Sequence, residues 1–193
     1  MSAPARRPLP RTEPVLAVVP DRPHVATGPE VLEEVTDLTY RPDLDPEAQA
    51  LSALLWASAD IACAVTAHLR AADFHRPVYA RLFTVVARLV GAGQPHTAPL
   101  VLAELERAGR VHGQLSAALL DVTTADARGH DAPHLALAVM RASYRRGYAA
   151  AAVALEQIAA EAHTEDLYEL MCQLGRDRRE AAARLTAATE ALG

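Results

Sequence analysis

The chain has 193 residues and a mass of 20.6 kDa, enough for one domain with a real core plus an arm or tail. It is 51% hydrophobic, with much of that Ala and Leu, and only 4% aromatic, which favours helices packed through small and aliphatic side chains over a sheet; an all-α protein is expected. A formal charge of −5 argues against duplex-DNA binding by bulk electrostatics, and all nineteen basic residues are Arg, which excludes a phosphate-binding loop ending in Gly-Lys-Ser/Thr.

Residues 1–43 are a different material from the rest. Eight of the thirteen prolines fall there, from Pro4 to Pro42, and they interrupt any helix or central strand. A mostly disordered arm is expected, with one short helix over Glu30 to Tyr40, where Val31, Leu32, Val35 and Leu38 have helical spacing.

From Asp45 the pattern turns helical. Asp45, Pro46 and Glu47 supply a cap, a first-turn proline and a favourable dipole charge, ahead of a buried stripe of Leu51, Leu54 and Leu55. A second helix starts after Ser58 or Asp60 and carries Ile61, Val65 and Leu69, with Trp56 expected in the core between the two. A polar connector, Arg70 to Arg76, leads to Pro77 at the start of a third helix, whose apolar residues recur at Val78, Leu82, Val85, Val86 and Leu89 before Gly91 and Gly93 stop it. Thr97 caps a fourth helix ending at Gly109, and a fifth fits His112 to Asp121. Together these predict a compact head over residues 44–132.

Residues 133–193 read as a long antiparallel helical hairpin. Only Gly147 interrupts the first rod, which runs from Pro133 to His163 with Leu137, Tyr144, Tyr148, Ala151, Leu155, Ile158 and Ala162 along one side. The second carries Leu167, Met171, Leu174, Arg178, Ala181, Leu185, Ala188 and Leu192 at alternating steps of four and three, a heptad with one charged exception. Such a hairpin has more apolar stripe than it can bury alone.

The segments DPEAQALSALL (Asp45–Leu55), LRAADFHRPVYARLF (Leu69–Phe83), GQPHTAPLVLAELERAGRV (Gly93–Val111) and HLALAVMRASYRR (His134–Arg146) resemble, in order and spacing, the N-terminal domain of DnaB-type replicative DNA helicases. The resemblance covers roughly residues 43 to 165. It implies an all-α head with a protruding hairpin, pairing through the hairpins, a place in the helicase collar, and contacts with primase and loaders. ATP hydrolysis and unwinding would belong to a separate motor domain, which this chain is expected to lack. The sequence departs from the family pattern at Arg41-Pro42-Asp43, where a His usually follows the proline, and at His75, commonly Tyr.

Each candidate residue also has a structural role open to it. Asp73 caps a turn and Phe74 plugs the head; with Pro77, Leu82 and Phe83 they form the structural fingerprint, and Tyr79 and Phe83 are core before they are a base-stacking platform. The self-association residues are Tyr144, Tyr148, Leu155, Ile158, Leu167, Met171, Leu174 and Leu185. Arg141, Arg145, Arg146, Arg178 and Arg179 are the candidates for partner or DNA contact. The alternative for these, as for Arg176 and Arg184, is a solvated face balanced by Glu and Asp. Arg178, which breaks the heptad, is the candidate for pairing specificity.

No cofactor, metal site or catalytic set is expected. Cys63 and Cys172 lack ligand spacing and read as reduced, buried thiols, and His112, His130 and His134 read as spread through loops, not as a ligand set. With neither a signal-peptide pattern nor a membrane-length apolar run, a cytoplasmic protein is expected. Its expected partners are itself, as a dimer or higher oligomer, and a replicative helicase, primase or loader. The rival readings are the collar of a split helicase with its motor supplied in trans, and a weak single-strand DNA-binding accessory protein.

Overall fold

The computed structural model describes residues 40–109 and 113–193. Residues 1–39 of the arm, with the short helix expected there apart from Tyr40, and His112 lie outside the described residues. Seven α-helices follow in order: α1 (Pro46–Trp56), α2 (Ala59–His68), α3 (Pro77–Gly91), α4 (Ala98–Arg107), α5 (Gly113–Thr124), α6 (Ala132–Glu161) and α7 (Leu167–Leu192). Short 3-10 turns sit at Pro42–Leu44, Ala71–Asp73 and Gly129–Asp131, and no strand occurs among the described residues. The fold is all-α, as expected, and no described helix is long and apolar enough to cross a membrane.

The head is built around α1. Ala48, Ala50, Leu51, Ser52, Ala53, Leu54 and Leu55 are all buried, so this helix is enclosed on every side by α3, α5 and α6. Asp45 caps it, its Oδ1 accepting from the Glu47 N–H at 2.8 Å, with Pro46 in the first turn. Trp56 corrects one expectation: it is 60% exposed rather than in the core, because it is the last residue of α1 and its ring emerges where the covering helices end. Cys63, on α2, is likewise exposed rather than buried.

On α3 the stripe Leu82, Val85, Val86 and Leu89 is buried together with Tyr79 and Phe83, and Phe74 packs on Phe83 with ring centroids 5.2 Å apart. The helix ends in a left-handed turn at Gly93 (φ +65°), whose N–H donates to the Val90 carbonyl while Gln94 N–H reaches Leu89. At the opposite end of α3, Arg76 lies over the rings of Tyr40 (4.1 Å) and Tyr79 (4.9 Å), whose hydroxyls share a 2.5 Å hydrogen bond. Burial, then the hydrogen bond to Asp45, pushes the Tyr40 hydroxyl well above its ordinary range.

Two buried carboxylates join the head to the long helices. Glu47 accepts the N–H groups of His75 (2.6 Å) and Arg76 (3.1 Å), which supplies the start of α3 with the acceptor its own residues lack, and it also faces Arg146 of α6 at 3.5 Å. Asp73, 1% exposed, accepts the Arg70 N–H at 2.9 Å and is gripped by both terminal nitrogens of Arg184 on α7, at 2.8 and 2.5 Å. Arg146 also donates to the Asp73 backbone carbonyl.

Burial alone would raise the Asp73 carboxyl, but Arg184, the Arg70 N–H and the Ser143 hydroxyl together hold it below its usual value. A folded-state pKa depressed in this way contributes stability above the unfolded value of about 4, and that contribution is lost as pH falls through the folded value. Asp73→Asn is therefore expected to cost about 3 kcal/mol in urea unfolding at neutral pH, because it leaves Arg184 without its counter-charge. The gap between variant and parent should narrow below about pH 4. A gap independent of pH would show that the ion pair is not its source.

Candidate interaction surface on the hairpin

The hairpin has a base inside the head and a part that stands clear of it. Ala132, Ala136, Leu137, Val139 and Met140 of α6, with Ala188 and Leu192 of α7, are buried in the head core. Past Arg146 the two helices pack chiefly on each other. Along α7 the seam uses the heptad positions Leu167, Leu174, Arg178, Ala181 and Leu185, all half-buried; α6 answers with Ser143, Gly147, Ala151, Ala154 and Ile158, also half-buried and small apart from Ile158.

Small residues on α6 let the helices approach, and Gly147 does so at the charged heptad position. A Cβ added there would collide with the Arg178 guanidinium, so the glycine forms the notch that receives this side chain. The Arg178 Nε is buried without a hydrogen-bond partner, while its charge reaches the Tyr144 hydroxyl on the flank of α6. The hydrogen bond with Tyr148 outweighs that charge and raises the Tyr144 hydroxyl above its ordinary value.

Beside the seam lies apolar surface that stays exposed among the described residues. Tyr148, Val153 and Leu155 of α6 and Tyr168, Leu170 and Met171 of α7 are exposed large apolar residues. Tyr144 and Tyr148 meet edge to face, centroids 5.1 Å apart and hydroxyls at 3.1 Å. Tyr144, Tyr148, Ala152, Leu155 and Ala159 recur at steps of four, four, three and four, which makes one continuous stripe along α6. With 3.6 residues per turn in two antiparallel helices, this stripe and the flank of α7 bearing Tyr168, Met171 and Arg179 fall on the same side of the hairpin.

The eight residues assigned to self-association therefore divide. Tyr148, Leu155 and Met171 are exposed, whereas Tyr144, Ile158, Leu167, Leu174 and Leu185 are half-buried, four of them in the intramolecular seam and Tyr144 at its edge. The arginines divide as well. Arg141, Arg145 and Arg179 are exposed; Arg146 is half-buried and engaged by Glu47 and the Asp73 carbonyl; Arg178 is occupied within the hairpin. Arg184, read as part of a solvated face, is instead the clasp on Asp73, whereas Arg176 does pair with Glu169 at the surface. Val153 and Tyr168 fall on neither apolar stripe, although a Val within an Ala run and a Tyr beside a heptad Leu are visible signals in the sequence.

Residues 41–139 match the model of the DnaB-like helicase N-terminal domain family, about half of the chain, and the chain belongs to this family. Among known proteins it is similar to the replicative DNA helicase DnaB of Mycobacterium leprae, with 34% identity over 96 residues. That region is 49% of this chain but 15% of the relative, so the chain spans only a small part of that helicase's length. The crystal structure of the N-terminal domain of DnaB helicase from Mycobacterium tuberculosis has the same fold, with a TM-score of 0.62, 24% identity, and coverage of 69% of this chain and 94% of that one. The part matched is the N-terminal domain and not the ATPase motor.

The Gly147 notch has a measurable consequence. Gly147→Ala should gain about 1 kcal/mol of helix propensity when Arg178 is also replaced by Ala, but close to nothing in the parent, where the new methyl displaces the guanidinium. Urea unfolding of the four variants measures this coupling, and equal gains in both backgrounds would contradict it.

Proposed function

We propose that this chain is an interaction protein of DNA replication that self-associates through the exposed side of its hairpin and binds a replicative helicase, a primase or a loader. The observation that carries the reading is the stripe of Tyr148 and Leu155, beside Met171 and Tyr168 of α7, left in solvent on a hairpin whose base is firmly held. Contiguous apolar surface rimmed by charge marks an interface more often than an idle face. Membership of the helicase N-terminal-domain family supports the choice of partner class.

A second reading is the collar of a divided helicase whose motor is supplied by another chain, and membership of the helicase N-terminal-domain family supports it equally. Both readings use the same surface. Single-strand DNA binding would rest on Arg141, Arg145 and Arg179, exposed on the same hairpin as Tyr148.

Leu155→Asp separates assembly from folding. The side chain is exposed in the single chain, so the thermal midpoint of the dilute protein should not move, while the dissociation constant for self-association rises at least about tenfold because a carboxylate enters an apolar interface. Leu174→Asp should instead destabilise the hairpin itself, since Leu174 is half-buried in the seam. Sedimentation over a concentration range reads the first effect. A parent chain that stays monomeric at every concentration would overturn self-association, and separate elution from both helicase and primase on a sizing column would overturn the partner assignment.

A further inference from the structure

Arg141, Tyr144, Arg145 and Tyr148 follow at i, i+3, i+4 and i+7, so they form one stripe about 10 Å long on α6, where the hairpin leaves the head. Gly147 faces Arg178 across the seam, and the residues that follow them, Tyr148 and Arg179, stand level on the same side of the hairpin. Arg141, Arg145 and Arg179 are exposed and make no ion pair among the described residues. Arg178 adds its charge from the notch, where it acts on the Tyr144 hydroxyl.

The acidic residues are placed elsewhere. No carboxylate occurs in α6 before Glu156, and Glu156, Glu161, Glu165, Asp166 and Glu169 gather toward the tip. Near Arg179, Asp177 accepts from Gln173 at 3.0 Å and Glu180 acts on Arg184. The net charge of −5 therefore conceals a local group of positive charges at Arg141, Arg145, Arg178 and Arg179. Two aromatic rings lie within it, Tyr144 edge-on to Tyr148, and Tyr148 is 50% exposed. Guanidinium groups by themselves suit any polyanion, an acidic peptide included. An exposed ring among them favours a strand whose bases are free to stack, because every base has a π-face and in a duplex those faces are already covered.

We propose that this patch binds single-stranded DNA, with backbone phosphates on Arg141, Arg145 and Arg179 and a base stacked on Tyr148. The choice of DNA over RNA rests on the replication role proposed above; the phosphate and ring contacts do not. The self-association surface proposed above extends to Leu155, Met171 and Tyr168 nearer the tip, and only Tyr148 is common to both.

The anisotropy of a labelled oligothymidine of about fifteen nucleotides, titrated with the full chain at low salt, should rise and saturate. The logarithm of the association constant should fall against that of salt with a slope of about −2, as three phosphate contacts on a single strand give. Arg145→Gln and Arg179→Gln should each reduce the slope by about 0.7, whereas Arg81→Gln, which removes an exposed charge from α3, should leave it unchanged. Tyr148→Ala should weaken binding at least about fivefold, and Tyr148→Phe should bind like the parent, since the ring and not the hydroxyl stacks. All four side chains are exposed, so folding is not at stake. No saturation, a slope near zero, or Tyr148→Ala binding as tightly as the parent would overturn the site. Tighter binding of polyglutamate or of duplex DNA would overturn the assignment to a single strand, and tighter binding of oligouridine would overturn the assignment to DNA. Sedimentation of the free chain involves no DNA, so self-association and this site can fail separately.

Discussion

The Asp73 carboxylate is held by Arg184 from the far end of the chain and by the Arg70 N–H of its own turn, while Arg146 reaches the Asp73 carbonyl and the Glu47 carboxylate. Four elements thus converge on two buried acids: α1 through Glu47, the turn at Ala71–Asp73, α6 through Arg146 and α7 through Arg184. A buried charge left without its partner is costly, so these contacts stand or fall together. They fix the direction in which the hairpin leaves the head, a job that apolar packing, being non-directional, does less well. Ala188 and Leu192, buried at the end of α7, then close the base.

That anchoring divides the molecule by function. The base of the hairpin belongs to the core, whereas the outer part exposes Tyr148, Leu155, Tyr168 and Met171. Gly147 and Arg178 lie between the two, where a charge replaces the heptad leucine and a glycine makes room for it. A polar residue at a seam position sets register at some expense of stability, and here it does so within one chain. A cavity beside Trp56 is a different kind of surface, concave and small.

Much of this was legible in the sequence because it rests on periodicity. The cap at Asp45, the stripe from Leu82 to Leu89, the stop at Gly93 and the two long helices all follow from spacing and from residues with distinct backbone preferences. Spacing failed where burial depends on what lies opposite. Trp56 has the composition of a core residue but ends its helix beyond the covering elements, and Cys63 faces solvent for want of a neighbour. It failed again for charged groups, since Arg146 and Arg184 look like members of surface clusters until Glu47 and Asp73, about 100 residues away, are placed beside them. Local pattern carries no information about a partner so distant.

Hydrogen exchange measured along the hairpin at low protein concentration tests the central claim most directly. If the buried acids anchor the base, the amides of residues 136–146 and 180–190 exchange as slowly as those of α1 and α3, while residues 152–172 open independently and much faster. Uniform exchange along both long helices, or fast exchange at the base as well as the tip, would contradict an anchored hairpin with an unpartnered outer surface.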